Sequence, residues 1–317
     1  MSIRVLITPR TFETRGEIYV KRLEKEGYEV ILNPYGRVLK EEELIKLIKD
    51  VDGIIVGIDP LTEKVLMSAK KLKVISKYGV GIDNIDIDTA KRLGIVITNT
   101  PFANSNAVAE LTVGLIFSVL RGIPLSDRKS REGLWERFIG YELYGKTLGV
   151  IGTGNIGKRV IKLLKGFDLK IICYDIFPDY SWAEKEGVSY VSFEDLLRDS
   201  DIITLHIPLT KDTHHLISER EINMMKKSAV IINTSRGGII DEEALYKALK
   251  EKRIFGAGLD VFEEEPPKNS PLFNLENVVI TSHTGAHTSE AIEKMAEISV
   301  ENLILALKGE KPKFIVS

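Results

Sequence analysis

The chain has no glutamine and a single cysteine, and it has no apolar run long enough to cross a membrane. Each absence excludes something. Missing glutamine beside abundant Lys and Glu is a bias of heat-adapted proteins and says nothing of chemistry. One cysteine, Cys173, cannot form an internal disulfide and suits a reducing compartment; its setting, "KIICYD", predicts a buried strand thiol. The strongest apolar stretch, "LTVGLIFSVL" at 111–120, is too short to span a bilayer and is flanked by Glu110 and Arg121. The start, "MSIRVLITPR", holds no signal-peptide core, so a soluble, cytoplasmic protein is expected, away from any membrane. Charge of one sign is missing too. With 46 acidic against 44 basic residues the net charge is -2, which provides no field to attract nucleic acid.

What is present is alternation. At 317 residues the chain exceeds one comfortable core, so two domains are expected. Short β-branched runs ("RVLIT", "YEVILN", "GIIVG", "KVISK", "IVITN") are separated by amphipathic stretches such as "EIYVKRLEKEG" and "EEELIKLIKD". This is the signature of βαβ units and parallel sheets. An apolar helix follows at 104–122, then a polar, Arg-rich arm containing Trp135, and then a second strand series from "TLGVIG" to "NVVITS". A last helix begins near 288, with Thr288 or Ser289 to cap it.

The expected fold class is α/β: two Rossmann-like or flavodoxin-like parallel-sheet domains with a cleft between them. Residues 1–100 plus 287–317 would form a discontinuous substrate domain, and 101–286 an inserted NAD-binding domain. The helix at 104–122 is apolar around most of its surface, which suggests a homodimer through the 104–140 region or, as the alternative, ordinary burial between the domains.

"VIGTGNIGKRV" places Gly152, Gly154 and Gly157 in the pattern G-x-G-x-x-G. Alone the pattern is weak. Here it follows a strand, opens a helix, and is answered by Asp175 at the end of the next strand, as a dinucleotide site requires. The first glycine permits the turn, the second admits pyrophosphate, and the third lets helix and strand pack closely. Asp175 can accept hydrogen bonds from ribose hydroxyls and would repel a 2′-phosphate. Ile176 and Phe177 supply no cation to reverse that choice, so NAD is favoured over NADP.

Ligands in open parallel sheets bind outside the carboxyl ends of the strands. Asp175, His206, Arg236, Asp260 and His283 all stand at such ends, in one candidate rim. In the first domain "KVISK" ends at Lys77 and opens into "YGVGID", whose amides could hold a carboxylate. His283 and His287 do not share a helix face, because Gly285 interrupts it, and no Cys or third His lies near; a metal site is not expected. The pair His214–His215 reads as a solvated loop. A histidine that exchanges protons benefits from a carboxylate partner, and "DVFEEEPP" offers Glu263, Glu264 and Glu265, among which the sequence does not choose. Arg236, in an Arg–Gly–Gly turn, offers a planar fork for a carboxylate or carbonyl.

"VIGTGNIGKRV", "NTSRGGIIDEEAL", "GAGLDVFEEEPP" and "ITSHTGAHT" together resemble the D-isomer-specific 2-hydroxyacid dehydrogenases in order and spacing. "KYGVGIDNID" and "NTPFANSNAVAELT" resemble the same family's substrate loop and interdomain helix. The resemblance covers essentially the whole chain and is closest to the phosphoglycerate dehydrogenase group. It implies catalytic roles for Arg236, Glu265 and His283. It also implies cofactor contacts at Gly152, Gly154, Asn155, Ile156, Gly157, Asp175, Thr234, Arg236, Asp260, His283 and Gly285, with His206 on the same rim. The substrate would meet Lys77, Val80, Gly81, Arg137 and Arg236.

The implied reaction is NAD-dependent interconversion of a D-2-hydroxy acid and its 2-keto acid, with His283 as acid and base. The resemblance puts D-3-phosphoglycerate first as substrate, in serine synthesis. A glyoxylate or hydroxypyruvate reductase is the alternative, and a non-enzymatic NAD-sensing protein the third reading. Two positions depart from the family pattern. Ser282 replaces a frequent proline before the histidine, and Gly57 stands where phosphoglycerate dehydrogenases generally carry a phosphate-binding arginine. No appended regulatory domain is expected after the last helix.

Overall fold

A computed structural model describes residues 2–316. The chain divides into two compact units: one runs to Asn104 and resumes at Ala286, the other is Ser105–Gly285. Each is built on one parallel sheet.

In the first unit the strands are β1 (Arg4–Ile7), β2 (Glu29–Leu32), β3 (Gly53–Val56), β4 (Val74–Lys77) and β5 (Val96–Thr98), in the order β2-β1-β3-β4-β5. In the second they are β6 (Thr147–Ile151), β7 (Lys170–Tyr174), β8 (Ser189–Tyr190), β9 (Ile202–Leu205), β10 (Val230–Asn233), β11 (Gly256–Leu259) and β12 (Val278–Ile280). Their order is β12-β11-β10-β9-β6-β7-β8. The α/β reading with two parallel sheets is therefore the fold observed.

The strands are continuous apolar runs because helices cover both faces of such sheets. β3, β4, β9, β10 and β11 are buried at every position. The apolar helix Ser105–Arg121 buries Leu115, Ile116 and Val119 in its own unit, beside Leu148, Val150 and Val160. The last helix, Ser289–Leu307, is capped by the Thr288 side chain, which accepts the Ala291 amide at 3.2 Å. It supplies Ala296, Val300, Leu303 and Ile304 to a core shared with Val5, Ile7, Ile55 and Val74.

Two elements leave little signal in the sequence. β8 is two residues long, too short for a periodicity. Helix Ile123–Arg131, inside the stretch read as a polar, Arg-rich arm, buries none of its residues, so no apolar stripe marks it. Pro124 in its first turn is its one start signal.

Topology fixes where ligands can enter. The chain leaves β6 toward β7 and β8, then returns to place β9 on the other side of β6. Adjacent loops diverge at this reversal, which opens a crevice at the carboxyl ends of β6 and β9. The glycine turn follows β6 and His206 follows β9.

Candidate active site

At the β6 end Gly152 has φ +92°, and a Cβ there would lie 2.5 Å from the His206 carbonyl oxygen. A Cβ on Gly157 would come within 2.0 Å of the Gly152 carbonyl, so only glycine lets helix Asn155–Leu164 pack on the turn. Gly154 differs from both: nothing lies within 4 Å of a Cβ built there. The helix N-terminus thus opens on free space, where its unpaired amides can face an anion.

Asp175 is fixed beside it. Its Oδ2 accepts the Thr153 amide at 2.7 Å and the Thr153 hydroxyl at 2.9 Å, while Oδ1 accepts the Phe177 amide at 2.9 Å. A carboxylate has roughly four acceptor positions, so capacity remains for a diol. The cradle that only glycine permits and the oriented carboxylate fit a dinucleotide of the NAD type. Asn155 and Ile156 form the first turn of the helix.

His206 lies across the crevice. Its Nε2 is 2.8 Å from the Thr204 hydroxyl, and its Nδ1 is sealed from solvent without a partner. Burial pushes its pKa down to about 3, so the ring is neutral at ordinary pH.

The remaining residues stand on β10, β11 and β12. Asn233 closes β10. Its side-chain oxygen accepts the Ser235 amide at 3.0 Å, and its amide donates to the Arg236 carbonyl at 2.8 Å. That turn presents the half-buried Arg236. Thr234 is buried and shares a hydrogen bond with Thr112, 2.8 Å between hydroxyls.

Asp260, 1% exposed, follows β11. Its Oδ1 accepts from the Thr281 hydroxyl at 2.6 Å and the Thr284 amide at 2.7 Å, and its Oδ2 accepts the Gly285 amide at 2.8 Å. The Asp260 carbonyl accepts the His283 amide at 2.8 Å. The turn carrying His283 is thereby folded around one carboxylate, and His283 sits in the left-handed region at φ +52°.

Of the three glutamates left open, the geometry selects one. Glu265 Oε2 lies 2.6 Å from His283 Nδ1, while its Oε1 accepts the Phe262 amide at 3.1 Å. Glu264 pairs with Lys268, and Glu263 meets His215. Burial works against the Glu265 charge. The His283 hydrogen bond and charge, the Phe262 amide and the Arg236 guanidinium outweigh it and hold its pKa below the ordinary carboxylate value. An ionised Glu265 fixes the His283 tautomer with Nδ1 protonated and leaves Nε2 to exchange a proton with a ligand.

In the first unit Lys77 is 5% exposed; its ammonium donates to the Gly57 carbonyl and to Asn84 Oδ1. Val80 and Gly81 follow in a loop whose Val80 carbonyl accepts the Asn99 side chain at 2.9 Å. Arg137 is exposed in the irregular segment after helix Ile123–Arg131. The structure therefore brings Arg236, Glu265, His283, Asp260 and Thr234 to one rim, and it places Lys77, Val80 and Gly81 at the sheet edge of the other unit. Asn233 and His215 were not singled out from sequence. An Asn that ends a strand two residues before Ser235 is an Asx-turn signal that could have found Asn233.

Residues 113–285 match the sequence profile described as the D-isomer specific 2-hydroxyacid dehydrogenase NAD binding domain. A glyoxylate reductase of Thermococcus litoralis is 44% identical over 98% of this chain and 97% of its own length. A D-3-phosphoglycerate dehydrogenase of Methanocaldococcus jannaschii is also 44% identical, over 99% of this chain and 59% of the longer relative. Among solved structures, a D-lactate dehydrogenase of Aquifex aeolicus complexed with NAD and lactic acid is 31% identical. It superposes with a TM-score of 0.88 and covers 98% of each chain.

Proposed function

The chain belongs to the D-isomer-specific 2-hydroxyacid dehydrogenases, NAD-dependent oxidoreductases, and from that premise we propose that its substrate is a short, unphosphorylated 2-keto acid of the glyoxylate or hydroxypyruvate kind. The observation that carries this reading is the state of Lys77. Gly57 has no side chain to offer a phosphate, and the Lys77 ammonium is buried and committed to the Gly57 carbonyl and Asn84. A cation so engaged is a poor receptor for a dianionic group.

The first unit presents the substrate loop and the second holds the cofactor. Gly152, Gly154 and Gly157 with the start of helix Asn155–Leu164 take the pyrophosphate, and Asp175 takes the adenine ribose. The choice of NAD over NADP rests on the Asp175 charge and the apolar Ile176 and Phe177. Bound NADH supplies a hydride to the keto carbon. Backbone amides at Val80 and Gly81 receive the substrate carboxylate. Arg236 orients the acid and balances negative charge growing on the oxygen. His283, oriented by Glu265, gives that oxygen its proton from Nε2; in the oxidative direction the neutral ring takes it back. Asp260 and Thr234 shape the nicotinamide end of the rim, and the neutral His206 faces the crevice.

A phosphorylated acid is the second reading, favoured by the Methanocaldococcus relative. NADH oxidation with glyoxylate, hydroxypyruvate and 3-phosphohydroxypyruvate at one salt concentration separates the two. A higher kcat/KM for the plain acids is expected. A tenfold preference for the phosphorylated acid would overturn the reading and make Lys77 or Arg137 a phosphate ligand, in serine synthesis.

A homodimer through the 104–140 region is the assembly we infer. Trp135 and Ile139 are 87% and 90% exposed, and a second copy would cover them; sedimentation as a monomer would refute it. The buried Cys173, its thiol pushed up to about 12 by burial and the nearby Asp175 charge, suits a cytoplasmic setting.

A further inference from the structure

We infer that His215 is a positioning residue that braces the two loops carrying Arg236 and Glu265; this rests on the reading of those residues and His283 as the reacting groups. The loop containing His215 lies between them. The His215 amide donates to the Gly238 carbonyl at 2.7 Å, which ties it to the Arg236–Gly237–Gly238 turn. Its Nε2 lies 3.0 Å from Glu263 Oε1, two residues before Glu265. One residue thus holds one catalytic loop by its backbone and the other by its ring.

Three further observations fit a brace better than a solvated surface ring. His215 is one of the described non-glycine residues in the left-handed region, at φ +51°, a minority conformation in which its backbone is fixed. Glu263 is held from a second side, because its carboxylate accepts the Glu242 amide at 3.3 Å while its own amide donates to Glu242 at 2.6 Å. Gly237 presses on the second loop directly: a Cβ there would lie 1.9 Å from the Phe262 carbonyl. Phe262 in turn donates its amide to Glu265. The two loops are therefore one packed assembly, and His215 closes its open side. The charged and titratable groups around its ring are Glu263, Asp241 at 4.0 Å from Nδ1, and His214, stacked with ring centroids 3.9 Å apart.

The His215 and Glu263 side chains are 36% and 39% exposed, so their pairing adds little to global stability. Its effect is expected on the placement of Glu265 and Arg236, where a displacement of about 1 Å costs up to ~10²-fold in rate. His215→Ala should lower kcat by roughly 5- to 30-fold, within that bound. KM for NADH should stay within about twofold and Tm within a few degrees. Glu263→Ala should give the same loss, and the double variant no more than either, because both remove one tie. His215→Asn tolerates the backbone conformation and retains a donor, and it should recover most of the rate.

Wild-type kcat in His215→Ala overturns the inference, as do additive losses in the double variant. A lowered Tm with unchanged kcat per folded enzyme also overturns it, since that is a merely structural role. His283→Asn separates the two levels. If it turns over like wild type, the underlying reading falls and this inference with it; if it is inactive while His215→Ala keeps the wild-type kcat, this inference alone fails.

Discussion

Replacing Asp260 by Asn tests the claim that one buried carboxylate folds the turn that carries His283. The side chain is 1% exposed and accepts the Thr281 hydroxyl and the Thr284 amide on one oxygen and the Gly285 amide on the other. Every partner is a donor. Asparagine keeps one acceptor and turns the other position into an NH₂ group facing a donor. The cheaper orientation points that group at Gly285, because the other faces both Thr281 and Thr284. One buried amide is then left unpaired, at about 1–3 kcal/mol. The surviving bonds lose their charge assistance, which roughly halves each of them and adds about 1 kcal/mol. The sum is ~2–4 kcal/mol, and for a unit of this size each kcal/mol lowers Tm by about 2–4 °C. Calorimetry of the cofactor-free protein should therefore show the transition of the Ser105–Gly285 unit falling by roughly 5–15 °C, with the other unit's transition unmoved. Working without cofactor keeps any nicotinamide contact out of the measurement. A shift under 2 °C would mean that the turn folds without this carboxylate, and the account of how His283 is placed would be wrong.

Three other outcomes are expected. His283→Asn should cut kcat by roughly 10²–10⁴-fold in steady-state assays while NADH binding by fluorescence stays near wild type, since only the acid–base contribution is lost; equal loss of binding would point to a collapsed rim. Gly152→Ala, with φ +92° and a Cβ forced against the His206 carbonyl, should cost ~2–4 kcal/mol in urea unfolding and weaken NADH binding severalfold; a neutral variant would contradict the tight turn. The third concerns acid. His206 has a folded pKa of about 3 against an ordinary 6.5, so the unfolded chain takes the proton first. Its contribution is whole above pH 6.5 and declines as pH falls toward 3, at up to ~1.4 kcal/mol per pH unit. Glu265, with its pKa depressed, adds a second loss that begins below its ordinary 4.5 and runs down through the lowered value. Urea titrations at pH 7.5, 5.5 and 4.5 should show the first slope in wild type and lose it in His206→Gln; an unchanged slope in the variant would refute the buried neutral ring.

The sequence revealed the fold to the degree that burial writes itself into composition. Strands covered on both faces appear as unbroken β-branched runs, so β3, β9 and β10 were plain from "GIIVG", "DIITLHI" and "AVIINTS". β8 and helix Ile123–Arg131 bury too little to leave a pattern. The candidate rim was legible for a different reason. Parallel strands bring their ends to one edge, so polar residues that terminate apolar runs (Asp175, Arg236, Asp260, His283) assemble in space although scattered along the chain. What pairs with what was not legible. Choosing Glu265 among three adjacent glutamates by its residues alone requires the turn geometry that sets its Oε2 on His283 Nδ1, since the pattern "EEE" carries no direction. His215 looked solvated because the Gly238 carbonyl and Glu263 that hold it lie far off in sequence. Lys77 looked available for a ligand because its acceptors, Gly57 and Asn84, come from neighbouring loops.

The discontinuous first unit has a consequence for the order of assembly. One face of its sheet, lined by Val5, Ile7, Ile55 and Val74, is covered by Ala296, Val300, Leu303 and Ile304 of the last helix. During synthesis those strands emerge first and wait for nearly the entire remaining chain before their cover exists. Ser105–Gly285 is local by comparison and can complete its sheet while the first unit is still open on one side. Phe12, Leu23 and Tyr28 share that cover, so the nascent protein carries a partly covered apolar sheet face for most of its translation, which the closing helix completes. Until it docks, the unit bearing Lys77 and the Val80–Gly81 loop has no finished core, so maturation of the second unit alone leaves that loop's unit incomplete.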